Sequence, residues 1–130
     1  MYLKWSKAEK LILNQIDKGL SLNPTSRYGR KVILTPPYKC NSKQFKGLEG
    51  YCIQVGKSKF LEVPIQMLED IYIETINNRG DYNQRIFKKL YPKLTRDNPC
   101  YVHTVGKIFE MSGLVLNRKR NYWLKSYLSV

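Results

Sequence analysis

Cys100 and His103 stand three residues apart, a spacing that places both side chains on one face of a helix. With Cys40 and Cys52 they are the set that could hold a zinc ion. Zinc-binding hairpins offer two ligands within a few residues, and Cys40 and Cys52 are too far apart for that. The odd count of three cysteines also lacks the spacing of a disulfide framework. Reduced thiols in a cytoplasmic protein are the simplest account, and neither a metal nor a cofactor is expected. Nucleophilic triads need a base, and His103 is the only histidine. It is better placed as a phosphate or base contact than as a general base.

Other catalytic patterns fall short. Gly56-Lys57-Ser58 matches the end of a phosphate loop, but Tyr51 occupies the place of the required upstream glycine and Gly50 is one position off. A metal-dependent nuclease would need clustered carboxylates. Glu49, Glu62, Glu69 and Asp70 are the nearest candidates and form no signature. No catalytic residue is therefore named. An enzyme is not expected, with a small nuclease kept as an alternative.

Charge is the stronger signal. The chain has 130 residues, with 23 Lys and Arg against 10 Asp and Glu, a net charge of +13. A pI near 9.8 is the footprint of a phosphate binder. An acidic protein, an anionic lipid or simple solubility could also use such charge. No apolar run approaches the roughly 18 residues of a membrane span, and no signal-peptide core follows Met1. The expected partner is double-stranded DNA, with RNA or single-stranded DNA as the alternative and no membrane. The expected location is cytoplasmic (nucleoid-associated) or nuclear.

Periodicity supplies the elements that must carry these residues. Ser6 with Glu9 forms a capping box, followed by Ala8, Leu11, Ile12 and Ile16 at helical spacing and Gly19 at the end. This predicts a helix over 7–18. A loop over 20–30 and a short strand over 31–35 follow, then a polar basic stretch over 38–50. Alternation over 51–55, a turn at 56–59 and a return over 60–63 predict a β-hairpin. Pro64 opens a helix with Ile65, Leu68, Ile71, Tyr72 and Ile76 on one stripe. Asp81 with Gln84 caps another helix, closed by Pro92. Asn98-Pro99 starts a third, with Val102, Val105, Ile108 and Phe109 inward and Gly113 past its end. Apolar strands flank 117–121 in a final hairpin.

The run Thr104-Val105-Gly106-Lys107-Ile108-Phe109 through Ser112-Gly113-Leu114-Val115, then Asn117-Arg118-Lys119-Arg120-Asn121-Tyr122, resembles the winged-helix DNA-binding superfamily. The resemblance covers about half of the chain. The connection over 91–98 is longer than a tight helix-turn-helix turn. An α+β fold is expected: an N-terminal helix and small β-hairpin or sheet (1–63, basic) packed on a C-terminal three-helix winged-helix unit (64–130) with a basic wing. No linker separates the halves, which should pack as one body.

The resemblance implies a recognition helix over 98–112 in the major groove and a wing on backbone or minor groove. With the apolar stripe inward, Tyr101, Thr104 and Lys107 fall on the open face, with His103 beside them, as candidate base contacts. Arg118, Lys119, Arg120 and Asn121 are the wing contacts. The 64–77 helix carries Glu69, Asp70 and Glu74 and no cation, so it should face away from DNA. Such a protein would be a regulator or the DNA-recognition part of a restriction or mobile-element system.

An additional basic face comprises Arg27, Arg30, Lys31, Lys43, Lys46, Lys57 and Lys59, with Lys39 among them. Tyr28, Tyr38, Phe45 and Tyr51 interleave with these cations. That mixture suits a phosphate track or stacking on exposed bases, the basis of the single-strand alternative. The plain alternative is a solvated basic loop over an aromatic core.

Overall fold

The computed structural model describes residues 1–22, 31–118 and 121–126. Its fold is α+β, built on an N-terminal helix, an antiparallel sheet, four further helices and a small three-stranded sheet. Among the described residues, no helix is long and apolar enough to cross a membrane.

Helix α1 (Trp5–Gln15) buries Ala8 and Ile12. It starts before the expected capping box: Lys4 is the N-cap, Ser6 lies inside the first turn and no side chain caps the end. Strands β1 (Ser21–Leu22), β2 (Lys31–Ile33), β3 (Tyr38–Lys39), β4 (Glu49–Val55) and β5 (Phe60–Pro64) form the first sheet. β4 is its axis. β2 pairs with one half of β4 and β3 with the other, β5 pairs along β4, and β1 extends the sheet beyond β2. Alternation puts Tyr51, Ile53 and Val55 on the buried face of β4.

Close backbone approach makes the exit from this sheet specific. Gly50 pairs with Pro64, and a Cβ at Gly50 would lie 2.4 Å from the Val63 carbonyl oxygen. The chain then enters α2 (Ile65–Asn77), whose stripe buries Met67, Leu68, Ile71, Tyr72 and Thr75. β6 (Asp81–Tyr82), α3 (Gln84–Leu90), α4 (Pro92–Asp97) and α5 (Cys100–Met111) follow, and the hairpin of β7 (Val115–Arg118) and β8 (Asn121–Leu124) ends the described fold. The second sheet has the order β6-β8-β7.

Three local expectations change here. Asp81 belongs to a strand rather than a cap, and the Asn83 side chain accepts the Arg85 N–H to cap α3. Pro92 ends α3 and also occupies the first turn of α4, a helix filling much of the presumed turn over 91–98. Pro99, not Asn98, is the N-cap of α5.

One hydrophobic core draws on both halves of the chain, from Leu3 and Ile12 to Phe109 and Tyr122. Phe109 is fully buried and lies edge-on to Tyr72 and Tyr82. The buried phenols are anchored to backbone: Tyr72 donates to Leu3 O at 2.7 Å and Tyr82 to Val102 O at 2.6 Å.

Glu62 pins the 40–48 loop to β5. Its carboxylate accepts the Tyr38 hydroxyl, the Asn41 amide at 2.9 Å and the Ser42 amide at 2.8 Å. Desolvation raises its pKa, but hydrogen bonds from Ser42, Tyr38 and the two amides outweigh that and hold it at about 2. Glu62→Gln should cost about 1–3 kcal/mol at pH 7. Because the folded pKa is depressed, this contribution is full above the unfolded value of about 4.3 and fades as pH falls toward 2. Urea melts of both proteins at pH 7 and pH 3 check it: the gap between them must narrow at the lower pH.

Candidate nucleic-acid interface

Helix α5 is buried on two sides. Val102, Val105, Ile108 and Phe109 face the core as expected, but Tyr101, Thr104, Gly106 and Lys107 are buried as well. Tyr101 is 5% exposed, stacks on Phe87 at 5.9 Å and donates to Glu62 O at 2.9 Å. The Thr104 hydroxyl donates to Cys100 O at 2.8 Å, within the helix. Lys107 is 5% exposed, bonds Glu110 Oε1 at 2.9 Å and lies 6.0 Å from the Tyr122 ring centroid. The face of α5 expected to be open is therefore closed to solvent. The reason is a second layer: the first sheet, through β1, packs against α5 while the hairpin covers it elsewhere. Gly106 admits that hairpin, since a Cβ there would lie 2.5 Å from the Tyr122 ring.

His103 is half-buried, with Nδ1 3.3 Å from the Tyr122 hydroxyl. Desolvation, with Lys31 and Lys107 nearby, lowers its pKa, favouring the neutral ring. Of the four expected base contacts it alone reaches solvent appreciably.

The expected additional basic face is divided between buried and exposed members. Lys31 is 5% exposed, because strand alternation puts it on the same buried side as Ile33. Lys43 and Lys46 are exposed on the loop that precedes β4, while Lys57 and Lys59 are exposed on the turn that follows it. Arg27, Tyr28 and Arg30 lie outside the described residues. The interleaved aromatics serve the interior: Phe45 and Tyr51 are buried, and Tyr38 is bound to Glu62.

The hairpin presents a mixed outer surface. Arg118 is exposed, and Lys119 and Arg120 lie outside the described residues. Asn121 is half-buried and its Nδ2 donates to Asp81 Oδ2 at 3.3 Å. Leu116 and Trp123 pair across the strands and remain 45% and 39% exposed, an apolar pair on the hairpin that carries the exposed Arg118.

Comparison with known protein families, characterised proteins and solved structures finds no match to this chain.

The richest run of exposed cations lies on α3 and α4: Arg85, Lys88, Lys89, Lys93 and Arg96. On α3 they occupy the i, i+3 and i+4 positions opposite Ile86 and Phe87; on α4 they stand opposite Leu94 and Thr95. Lys89 is paired with Glu74 of α2, and Arg96 with Asp97. The carboxylate of Asp70 lies 3.5 Å from the Tyr91 hydroxyl, so two of the acids on α2 face the α3 segment. Helical spacing of cations over 85–96 was available in the sequence and is the signal that points to this surface. Among the described residues, no group of three or more His, Cys, Asp and Glu side chains is arranged to hold a metal ion.

Proposed function

We propose that this protein binds double-stranded DNA, with phosphate contacts from α3, α4 and the β7–β8 hairpin. The observation that carries the reading is the run Arg85, Lys88, Lys93 and Arg96, exposed on two consecutive helices of a chain of net charge +13. The hairpin is linked to these helices through the second sheet, which supports a shared role: β8, which pairs with Arg118 of β7, also pairs with β6, and α3 begins two residues after β6. Exposed Lys and Arg neutralise phosphates and release counterions, a term that grows with each contact. Helices leading into a hairpin that carries Arg118 support a winged-helix arrangement for the second half. The burial of Tyr101, Thr104 and Lys107 moves base reading away from α5. On this proposal the protein recognises duplex mainly through backbone and groove shape, as a regulator or a recognition part of a larger DNA-processing system. The buried state of Phe45 and Tyr51 removes two stacking groups from the single-strand alternative.

Binding of labelled random duplex across a salt series tests the proposal. With about six phosphates engaged, log affinity should fall with log salt at a slope near −5, so moving from 50 to 200 mM salt should weaken binding about a thousandfold. Arg85→Ala, Lys88→Ala and Arg118→Ala should each flatten the slope by about one unit, equally for all sequences. Duplex should compete better than single-stranded DNA or RNA. No binding at 50 mM salt would reject duplex as the partner, and so would preferential competition by a single strand.

A further inference from the structure

Where β2, the start of α3 and the first turn of α5 meet, Lys31, Gln84, Pro99, Cys100, Val102 and His103 line a cavity of about 190 Å³. We infer that this cavity is a binding site for a phosphate monoester group, held by the Lys31 ammonium, the Gln84 amide and the His103 imidazole. The cavity draws on Gln84 at the start of α3, beside Arg85, but the inference does not depend on duplex binding by the exposed cations.

Three observations carry it. The first is charge in a confined place. Lys31 lines the cavity although it is only 5% exposed, so its ammonium acts in low-dielectric surroundings. Lys107 is close enough to act on both Lys31 and His103, which adds a second positive field behind the wall. Glu110 is bonded to Lys107. The second is donor chemistry. An ammonium, a side-chain amide and an imidazole N–H match the acceptor oxygens of a phosphate, while Pro99 and Val102 give an apolar wall for the group that carries it. The third is size. The cavity is below the roughly 300–1,000 Å³ of pockets that enclose a drug-sized ligand. It suits one phosphoryl group with part of a sugar, not a whole dinucleotide.

The Tyr101 and Val102 amides already bond the Asn98 and Pro99 carbonyls, so these two are not donors to the anion. Burial holds the Lys31 pKa below its ordinary range. A bound dianion would favour its charged form, which is the coupling expected of an occupied site.

The phosphate could be free or the 5′ end of a nucleic-acid strand. His103 is the only histidine, so its imidazole proton resonances are assigned without ambiguity and report on the cavity that it lines. The experiment titrates the full chain at constant ionic strength with inorganic phosphate, with a 5′-phosphorylated dinucleotide and with the same dinucleotide bearing a 5′-hydroxyl. A saturable shift of His103 with either phosphorylated probe supports the site. Response to inorganic phosphate assigns a free anion, and response to the 5′-phosphorylated dinucleotide alone assigns a strand end. Lys31→Met should weaken the affinity at least tenfold. Gln84→Ala, a change at an exposed helix start, should weaken it several-fold, and Lys43→Met should leave it unchanged. No saturable shift with 10 mM of either phosphorylated probe, an equal shift with chloride or the 5′-hydroxyl dinucleotide, or undiminished binding in both folded cavity variants would overturn the inference. Duplex binding by these cavity variants, measured in parallel, separates failure here from failure of the duplex reading.

Discussion

Phe109→Ala should lower the free energy of unfolding by about 4 kcal/mol. The ring is fully buried, with its centroid 6.1 Å from that of Tyr72 and 6.0 Å from that of Tyr82, both in edge-on geometry. Alanine would remove the burial of an aromatic side chain and leave a space bordered by two phenols. Both phenols are hydrogen-bonded at their far ends, Tyr72 to Leu3 O and Tyr82 to Val102 O, and cannot close the gap without giving up those bonds. The loss therefore combines transfer and cavity contributions. Urea unfolding at pH 7 measures it. A loss below about 1 kcal/mol would mean that the aromatic cluster collapses freely, contrary to the anchoring described.

Gly50→Ala should be the next most damaging change, at about 3 kcal/mol. A Cβ there would stand 2.4 Å from Val63 O, 2.5 Å from Pro64 Cα and 2.9 Å from Pro64 N. All three are backbone atoms, so no rotamer change can relieve the contact. The strands would have to part where β5 hands the chain to α2, and the Glu62 carbonyl that receives the Tyr101 hydroxyl lies close by. A thermal melt should show the midpoint falling by about 10 °C. An unchanged midpoint would show that the β4–β5 pairing can spread there without cost.

The long periodic segments were legible because their burial patterns are periodic. α2 and the β4–β5 and β7–β8 hairpins form where 3.6-residue or two-residue apolar spacing predicts them. The elements missed are those too short to have a period. β1, β3 and β6 have two residues each and exist through their partners. α4 carries one strongly apolar residue, Leu94. α1 begins earlier than the pattern predicts because Ser6 and Glu9 fit a capping box that the fold does not use.

The candidate site was harder to read for a related reason. A single apolar stripe marks the face a helix turns toward one core, and α5 is covered on two sides. Tyr101, Thr104 and Lys107 read as a polar face, yet each is satisfied locally, by a carbonyl or by Glu110. Gly106 was the available clue, since a glycine within a helix often marks close approach by another element. Lys31 shows the same limit: only the register of β2 against β4 reveals that its side shares the interior with Ile33.

The two tryptophans occupy opposite kinds of surface. Trp5 is partly buried against the core, its ring 5.7 Å from Tyr72, whereas Trp123 is 39% exposed on the outer side of the hairpin, opposite Leu116. Their emission should differ accordingly, bluer from Trp5 and redder from Trp123. Loss of the blue component follows the melting of the interior, and quenching of the red component registers whatever lands on the hairpin. The molecule thus carries an unlabelled optical gauge that distinguishes occupancy from unfolding in a single cuvette.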